Sequence, residues 1–480
     1  MKVAIIKDNK LDYNSNPPFH PSQNYPEYPF KNISKNNLVY DSIRKMLFML
    51  EMDKENYGKK IWNPLGDLIK PQDSVLIKPN MVEHYNAASF NTDALLTNGL
   101  IIRAILDYVY IALKGVGTII IGDAPLQTGD FEKTIKILGL DKITEFYNKN
   151  TSIKINLIDF RKEISQKNKL GFLTKKTNSG DPLGYTVINL KNDSEFYEIN
   201  KDYKKFRVTN YDKKKMLKHH NEEKNEYLIP NSVLKSDIII NLPKLKSHRK
   251  AGITCSLKNL IGINGSKDWL PHHRIGSTEE GGDEYLYKSA RKKILTKLNE
   301  RMDTATNKLK FFLWRLLHFL INRTKYILPF PDPYFEGSWY GNDTIPRTIT
   351  DINKIAFYAD KNGKLQDKIQ RKMFIIVDAV IAGEKEGPLE PSPKKCGILV
   401  AGHNPVAVDL VSSRIMGFDY KKIPTFKYAL NSKNYSLFND KLENIKIYSQ
   451  QCQNFNEIYD KLNCHFIPSS GWKGYIEYKK

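Results

Sequence analysis

The chain has 480 residues, 40% of them hydrophobic, and its formal net charge is +22. Single domains usually stop growing at roughly 250–300 residues, so this length predicts two compact units, and the apolar content excludes a disordered chain. An anionic partner fits the charge, but the lysines are spread along the whole chain without an Arg-rich block or a helix-turn-helix, zinc-finger or RNP motif. Nucleic acid is therefore not the expected partner.

The cysteines and the first residues indicate where the protein works. Cys255, Cys396, Cys452 and Cys464 are scattered without a CxxC pair, so the ligands of an iron–sulfur cluster or a structural zinc site are not expected within this chain. The opening MKVAIIKDNKLD has a short apolar run followed at once by charge, which is not typical of a signal peptide. The sequence predicts a cytoplasmic protein that begins with a β-strand.

Residues 1–70 are predicted to contain this strand, an extended segment and a helix. The extended segment, residues 14–36, is rich in Pro, Asn and aromatic residues, and the helical spacing of apolar positions covers residues 38–53. Residues 14–36 would either wrap over a domain or close over a site, and both alternatives stay open.

Residues 71–275 are predicted to form a first α/β lobe, with a strand at 74–80, a helix at 95–114 and a strand at 118–125. In a parallel sheet, ligand groups gather beyond the carboxyl ends of the strands. We therefore expect Lys78 and Asn80 to bind substrate, and Asp123 to act as an acid or base on the same rim. The alternative is that these residues form ordinary turns.

The stretch SDIIINLPKLKSHRKAGITCSLKN places ionisable groups where a buried strand ends. Lys244, Lys246 and Asn259 are predicted to bind substrate, and His248 is predicted to be an acid or base. Lys258 lies among apolar neighbours, and desolvation lowers the pKa of a lysine, which predicts a nucleophile, a Schiff-base former or a cofactor tether. The alternative is a lysine whose amine reaches water.

His272 and His273 follow this stretch, and imidazole is a common metal ligand. We interpret them as ligands of a divalent metal, although adjacent histidines are also frequent in surface loops.

Residues 276–335 are predicted to be an acidic, Gly-rich loop and a helical insertion. The helix FFLWRLLHFLINRTKYIL, residues 311–328, carries a narrow polar stripe on a wide apolar surface and has basic residues around it. Such a helix suits the interface of a membrane, packing on the main body, or a subunit contact that makes a homo-oligomer. Pro329, Pro331 and Pro333 are expected to end it.

Residues 336–450 are predicted to form a second α/β lobe, and residues 451–480 a C-terminal tail. Asn342, Asp343 and Glu386 lie in Gly-containing turns and are predicted to bind substrate, and Asp378 is predicted to be a metal ligand. The chain has no Walker, GxGxxG, HExxH or GxSxG motif, so the function classes that these mark lose their usual support. The predicted class is α/β, with two lobes built on mainly parallel sheets and an inserted helical segment.

Six ordered motifs, KPN, GDAP, LPKLKSH, SLKNLIG, VDAVIAGEKEGP and NPVAVDL, resemble a prokaryotic family called domain of unknown function 362. The resemblance runs from about residue 74 to about residue 420, with the insertion between. Some members of that family are joined to ferredoxin-like modules, whose cysteines this chain lacks.

A second resemblance is to the nickel-pincer lactate racemase family. There a His and a Lys ten residues later lie in one pocket, the Lys carries a pyridinium cofactor, and a later His binds nickel. His248, Lys258 and His272 or His273 match this order, but Gly122 is followed by Asp123 and not by the family's Gly-x-His turn. The resemblance implies a shared pocket and leaves the nickel cofactor and paired histidine bases in doubt.

The sequence thus predicts an enzyme that acts on a polar, hydroxylated or anionic metabolite in a cleft between the lobes. Isomerase, racemase-like and transferase chemistry stay open, as do a divalent metal and a lysine-tethered cofactor. If residues 311–328 meet the inner face of the cell membrane, the substrate would belong to cell-envelope sugar metabolism. The alternative is a non-catalytic ligand-binding or assembly protein docked at the membrane face.

Overall fold

A computed structural model describes residues 1–34, 36–168, 171–326, 330, 332–432 and 434–479. Its strands are β1 (Lys2–Lys7), β2 (Ser74–Pro79), β3 (Thr118–Asp123), β4 (Ile155–Asp159), β5 (Glu163–Lys167), β6 (Leu173–Thr177), β7 (Tyr185–Asn189), β8 (Phe206–Arg207), β9 (Glu226–Pro230), β10 (Ile238–Leu242), β11 (Lys244–His248), β12 (Gly252–Thr254), β13 (His273–Arg274), β14 (Lys372–Glu386), β15 (Glu390–Gly402) and β16 (Lys446–Tyr448). Its helices are α1 (Leu38–Met49), α2 (Gly99–Leu113), α3 (Phe131–Ile137), α4 (Leu140–Asn150), α5 (Lys213–His219), α6 (Asn231–Lys235), α7 (Ser256–Asn259), α8 (Ala290–Asp303), α9 (Lys308–Arg323), α10 (Thr344–Tyr358), α11 (Pro405–Met416), α12 (Pro424–Asn431) and α13 (Ile458–Leu462).

A large central sheet organises the molecule. Its strands follow the order β16–β1–β15–β14–β10–β2–β3–β4, and β11 and β12 join it beside β14. The run from β14 through β10, β2 and β3 to β4 is parallel, whereas β15 is antiparallel to β1 and to β14. Helices separate most of the parallel strands along the chain, as an α/β fold requires. The predicted fold class is confirmed.

The parallel strands of the two predicted lobes, 71–275 and 336–450, lie in one sheet and not in two, while the pairs β5–β6, β7–β9 and β8–β13 form small sheets of their own. The two segments meet where β10 pairs with β14, with Ile238 opposite Lys372. Both strands are apolar on both faces, so each can lie in the buried middle of a sheet. A sequence pattern marks such strands but not their neighbours, which is why the single sheet was not predicted.

Alternate residues of the central strands enter two different cores. In β10, Ile239 packs on one side of the sheet with α10 and α11, and Ile238 and Ile240 pack on the other with α1, α2 and α4. This period of two is the geometry of a strand covered on both faces. The sheet is therefore the middle layer of three, and its strand ends are held in place from both sides.

The segment predicted to be extended, residues 14–36, packs on α1 and α2. The Arg44 Nε atom lies 2.6 Å from Glu27 Oε1, and Arg103 Nη1 donates to the Pro18 carbonyl oxygen at 2.7 Å. Of the two alternatives left by the sequence, the described part of this segment wraps over the helix layer. The C-terminal residues predicted to be a tail also pack on the body, where buried Trp472 donates from Nε1 to the Arg249 carbonyl oxygen at 2.7 Å.

The insertion is a pair of helices, α8 and α9, that pack against each other. The helix predicted at 311–328 begins earlier, at Lys308, and ends at Arg323. Residues 327–329 and Pro331 lie outside the described residues, and with them the prediction that Pro329 and Pro331 end the helix. Within the described ranges, no helix has the length and apolar character needed to cross a membrane.

Candidate active site at the strand ends

The carboxyl ends of β2, β3 and β4 open into one cavity of about 1390 Å³, and β11 forms part of its wall. The hairpin β5–β6 and the insertion close the cavity from the side. Phe172 of the hairpin and Phe311 of α9 meet there with ring centroids 5.7 Å apart. The strand ends that the sequence predicted to share one rim therefore face a common space.

The three residues predicted to be catalytic line this cavity together, although they lie far apart in the chain. Seven of the predicted site residues line it: Asn80, Asp123, Lys246, His248, Lys258, Asn259 and His272. Lys78 lies directly behind them, fully buried.

Asp123 is held as the counter-ion of Lys78. Asp123 Oδ1 lies 2.8 Å from Lys78 Nζ, and Asp123 Oδ2 accepts a hydrogen bond from the Met81 amide at 2.7 Å. Burial lowers the pKa of Lys78, and Asp123 opposes that change. Gly262 is needed here, because a Cβ atom on it would lie 1.9 Å from Asp123 Oδ1. Asp123 thus supports the cavity wall electrostatically, and its role as an acid or base stays a prediction.

Asparagine amides form the floor of the cavity. Lys246 Nζ donates to Asn80 Oδ1 at 2.9 Å and to the Leu95 carbonyl oxygen at 2.6 Å. Asn80 Nδ2 then donates to Asn259 Oδ1 at 3.0 Å. Burial, helped by Lys244 and Lys258, lowers the pKa of Lys246 well below its ordinary value. The partners of this buried amine are neutral dipoles, so its charge is solvated but not neutralised.

Lys258 lies on α7, and the start of that short helix is fixed by a carboxylate from α11. Asp409 accepts hydrogen bonds from the Ser256 and Leu257 amides at 2.7 and 2.9 Å. Burial, with a smaller contribution from Lys250, lowers the pKa of Lys258 to about 8. In the described part of the chain, no carboxylate forms an ion pair with this amine. Lys258 therefore has a substantial neutral fraction near physiological pH.

Two further lysines line the cavity that sequence reasoning missed, Lys250 and Lys267. Burial lowers the pKa of Lys250 to about 8, and its amine donates to Thr209 Oγ1 at 2.9 Å and to the Glu336 carbonyl oxygen at 2.5 Å. Burial also lowers the pKa of Lys267 to about 7, against the opposing effect of Asp123. Both lie in polar segments, where a lysine normally faces water. The only sequence signal for Lys250 was its place in the ionisable stretch, and Lys267 lies between that stretch and His272.

Backbone hydrogen bonds fix the two cavity histidines in opposite tautomers. The His248 Nδ1 atom lies 3.0 Å from the Lys250 and Ala251 amides, so it accepts, and its proton is assigned to Nε2. The His272 Nδ1 atom lies 2.6 Å from the Leu270 carbonyl oxygen, so it donates, and Nε2 is left as an acceptor. Burial lowers the pKa of His248 well below its ordinary value and that of His272 to about 3. The neutral pair thus presents one donor and one acceptor.

Lys244 and Asp378 are not brought to the cavity. They form a fully buried ion pair at 2.7 Å, and the Tyr13 hydroxyl donates to Asp378 Oδ1 at 2.5 Å. A bulge between Lys244 and Lys246 in the pairing of β11 with β14 separates these two lysines, which strand alternation alone would place on one face. The interactions of Lys244 and Asp378 are structural, and neither lines the cavity.

Four other predicted site residues also lie outside the cavity lining. Asn342 donates from Nδ2 to the His272 carbonyl oxygen at 2.9 Å, so it supports a cavity histidine from behind. Asp343 Oδ2 accepts from Arg347 Nη2 at 2.9 Å, and Glu386 accepts from the Ser470 amide at 2.7 Å. His273 is buried in β13, and burial lowers its pKa.

The lysine cluster of the cavity suits an anion, while carboxylates line the cavity as well: Glu83, Asp130, Glu132, Asp159, Asp303 and Glu336. Among the described residues, no three His, Cys, Asp or Glu side chains come together in a way that could hold a metal ion. Asp378 is occupied by Lys244, while His272 has lysines for neighbours. A cation would meet repulsion from Lys250, Lys258 and Lys267.

The model of the family described as Domain of unknown function (DUF362) matches residues 184–414. This segment is similar to that family. The match extends from just before β7 into α11, so the matched segment contains β11, α7 and the insertion. Asn80 and Asp123 come from the part of the chain before the matched segment, so both parts line the cavity. The resemblance to the lactate racemase family stays a prediction.

No curated protein matches the chain at a significant level. Among solved structures, the chain is similar to a crystal structure of a protein from Thermotoga maritima, determined by the Northeast Structural Genomics Consortium. The two sequences are 12% identical, the TM-score is 0.31, and the alignment covers 74% of this chain and 54% of that chain. This chain therefore spans about half the length of that protein.

Proposed function

We propose that the protein is an enzyme that binds an anionic, hydroxylated metabolite in the cavity and attacks its carbonyl group with the Lys258 amine. The observation that carries this proposal is the state of that amine. It lines the cavity, burial lowers its pKa to about 8, and it has no carboxylate ion-pair partner in the described ranges. A desolvated lysine without a counter-ion is the form in which lysine acts as a nucleophile.

The anionic character of the substrate is inferred from the three lysines around the proposed nucleophile, although carboxylates also line the cavity: Glu83, Asp123, Asp130, Glu132, Asp159, Asp303 and Glu336. Lys250 and Lys267 line the same cavity as Lys258, and burial lowers the pKa of all three amines. A phosphate or carboxylate would restore their protons and gain charge-assisted hydrogen bonds. The floor amide Asn80 and the two histidines supply donors and acceptors for hydroxyl groups.

The proposed reaction begins with imine formation. The neutral Lys258 nitrogen adds to the carbonyl carbon, and the proton that this nitrogen loses passes to the carbonyl oxygen. His248 Nε2 donates a hydrogen bond to that oxygen, and His272 Nε2 accepts one from the nitrogen, so both histidines stay neutral. The resulting carbinolamine loses water to give the imine, in which the carbon–hydrogen bonds next to the former carbonyl are acidified. Isomerase and racemase-like chemistry would both follow from that intermediate.

The non-catalytic alternative has one observation in its favour. The cluster of Lys250, Lys258 and Lys267 would hold an anion equally well without forming a covalent bond. The enzyme proposal includes a cytoplasmic setting. The four free cysteine thiols support it, because thiols stay reduced in that compartment. A lysine-tethered cofactor on Lys258 and a metal-assisted step are hypotheses separate from this proposal, whereas a cell-envelope sugar substrate is compatible with it.

Reductive trapping tests the proposal directly. The full-length protein is incubated at pH 8 with glycolaldehyde phosphate and cyanoborohydride, and labelled lysines are located by peptide mass spectrometry. Saturable labelling at Lys258 that inorganic phosphate suppresses is expected. The Lys258→Ala variant should lose this adduct, and Lys149→Ala, at an exposed lysine, should keep it.

Two outcomes would overturn the enzyme proposal. Labelling spread over exposed lysines and insensitive to phosphate would mean that the cavity does not select an anionic carbonyl compound. Phosphate binding that survives in Lys258→Ala, without any adduct in the wild-type protein, would establish the binding-protein alternative. Intact-mass and elemental analysis of protein from its native host would further reveal an adduct on Lys258 or a bound metal.

A further inference from the structure

The outer face of α9 is apolar and uncovered. Its large side chains are between 43% and 78% exposed, and they recur at helical spacing: Leu309, Phe312, Leu313, Leu316, Phe319 and Leu320. Proteins rarely leave a continuous apolar surface of this kind in water unless it binds something. We call these six residues the outer face of α9.

The opposite side of the same helix forms a wall of the cavity. Phe311, Arg315 and His318 recur at spacings of four and three, and all three line the cavity. Trp314 lies under Arg301 of α8, with the guanidinium carbon 4.4 Å from a ring centroid. One helix therefore separates the cavity from whatever covers its outer face, and a ligand held at that surface would be close to the cavity.

The charge around this face identifies its partner. Residues 304–326 contain no Asp or Glu, and four exposed cationic side chains of this segment lie outside the cavity lining: Lys308, Lys310, Arg323 and Lys325. Phe and Leu on an amphipathic helix with Lys and Arg around them suit the interface of an anionic bilayer, where apolar side chains enter the acyl boundary and cations meet the headgroups. A second copy of this helix would instead bring like charges together.

We propose that α9 docks the protein on an anionic membrane surface, and that the substrate is an anionic amphiphile whose charged headgroup reaches the lysines of the cavity. The second half rests on the proposed function, whereas the docking itself does not. The cavity volume of about 1390 Å³ exceeds the roughly 300–1,000 Å³ of sites that hold drug-sized ligands, which leaves room for part of an acyl chain beside a headgroup.

Liposome flotation of the full-length chain tests the docking. The protein should float at low salt with vesicles of phosphatidylglycerol and phosphatidylcholine in equal parts, and much less with pure phosphatidylcholine or at high salt. The double variant Leu313→Glu/Leu316→Glu should bind the anionic vesicles at least about tenfold more weakly. The matched control, Ile61→Glu/Ile369→Glu, makes the same charge change at two other exposed apolar positions and should float like the wild type.

Three results would overturn the docking. The first is a wild-type protein that stays in the bottom fraction with anionic vesicles at low salt. The second is flotation that the outer-face variant and its control lose equally. The third is a wild-type dimer in solution that the outer-face variant alone dissociates, since a second copy would then cover this face.

Protection of Lys258 tests the substrate class separately. Dihexanoyl phosphatidic acid, used as a monomer in solution, should protect Lys258 from trapping at a concentration at least about tenfold lower than inorganic phosphate, because its chains add apolar contact. Equal protection would overturn the amphiphile while leaving the anion-binding enzyme intact. The Lys258→Ala variant should still float with anionic vesicles. Loss of trapping therefore tests the proposed reaction, and loss of flotation tests the membrane docking.

Discussion

Two buried lysines of β11, Lys244 and Lys246, differ in whether a carboxylate neutralises them. Lys244 has a carboxylate partner, Asp378, at 2.7 Å, whereas Lys246 has only neutral partners and faces a cavity that also holds Lys258 and Lys267. Burial is the largest influence on the pKa of each of these amines, and it acts downward in all of them. Burial of a cation therefore does not by itself mark a functional site. In the cavity, the absence of a counter-charge leaves a place for a ligand's charge.

Removal of the counter-ion of Lys244 should have the largest effect. Asp378→Asn leaves a buried ammonium without its carboxylate, and breaking a buried pair in this way costs about 3–5 kcal/mol. The free energy of unfolding, measured by urea denaturation, should fall by that amount while the folded fraction still binds phosphate. Asp12→Asn removes a more exposed partner of Lys395 and serves as the control. A loss no greater than that of the control would mean that the Lys244 pair is not structural.

Removal of a buried cavity lysine that has no counter-ion should, in contrast, leave the stability of the protein unchanged or raise it. Lys267→Met removes a buried amine that has no ion-pair partner in the described part of the chain, so the ligand-free protein should melt at the same temperature or higher. Pyrophosphate binding at pH 7, measured by calorimetry, should weaken by about 1.5–3 kcal/mol, the usual contribution of a hydrogen bond to a charged group. A lower melting temperature together with unchanged affinity would assign Lys267 to the structural class.

Substitution of Asp409 tests whether this carboxylate only positions Lys258 or also sets its pKa. Asp409→Asn should lower the free energy of unfolding by about 1–3 kcal/mol. One of the two backbone amides that donate hydrogen bonds to the carboxylate would lose its acceptor. The rate of Lys258 trapping should fall several-fold as α7 loosens. Its pH midpoint should stay in place, because Asp409 is not among the groups that set the pKa of Lys258. A shifted midpoint at an unchanged limiting rate would contradict the positioning role.

The smallest predicted effect is a change in the number of protons bound by the cavity lysines. The pKa values of Lys258 and Lys267 are about 8 and about 7, against an ordinary 10.5, so between these limits the unfolded chain holds protons that the folded chain lacks. The contribution of these two groups to stability therefore rises with pH across that range. An anion favours the protonated amines, so its affinity should fall as pH rises, and binding at pH 8 should take up protons.

Calorimetry of pyrophosphate binding in two buffers of different ionisation enthalpy measures this uptake. The Lys267→Met variant should take up less than the wild type. Release of protons, or no change in either protein, would show that the cavity amines are already fully charged and would weaken the distinction from Lys244.

Local sequence was sufficient for a good part of the site. The order of strands and helices, and the rule that parallel strands end on one rim, predicted that Asn80 and Asp123 would lie near each other. The motifs around His248 and Lys258 predicted the DUF362 family and the pair that now lines the cavity. These predictions succeeded because each depends on residues close in sequence and on one general property of α/β sheets.

The chain by itself determined which strands are buried, where they end and which ionisable side chains follow them. Only the tertiary structure decided that Lys244 is neutralised by Asp378 while Lys246 is not, that Lys250 and Lys267 join the cavity, and that both predicted lobes share one sheet. The physical reason is the separation along the chain of the residues on which each property depends. Hydrophobic periodicity is a property of neighbouring residues, whereas the pairing of a buried charge depends on a strand register and a bulge formed with a distant segment.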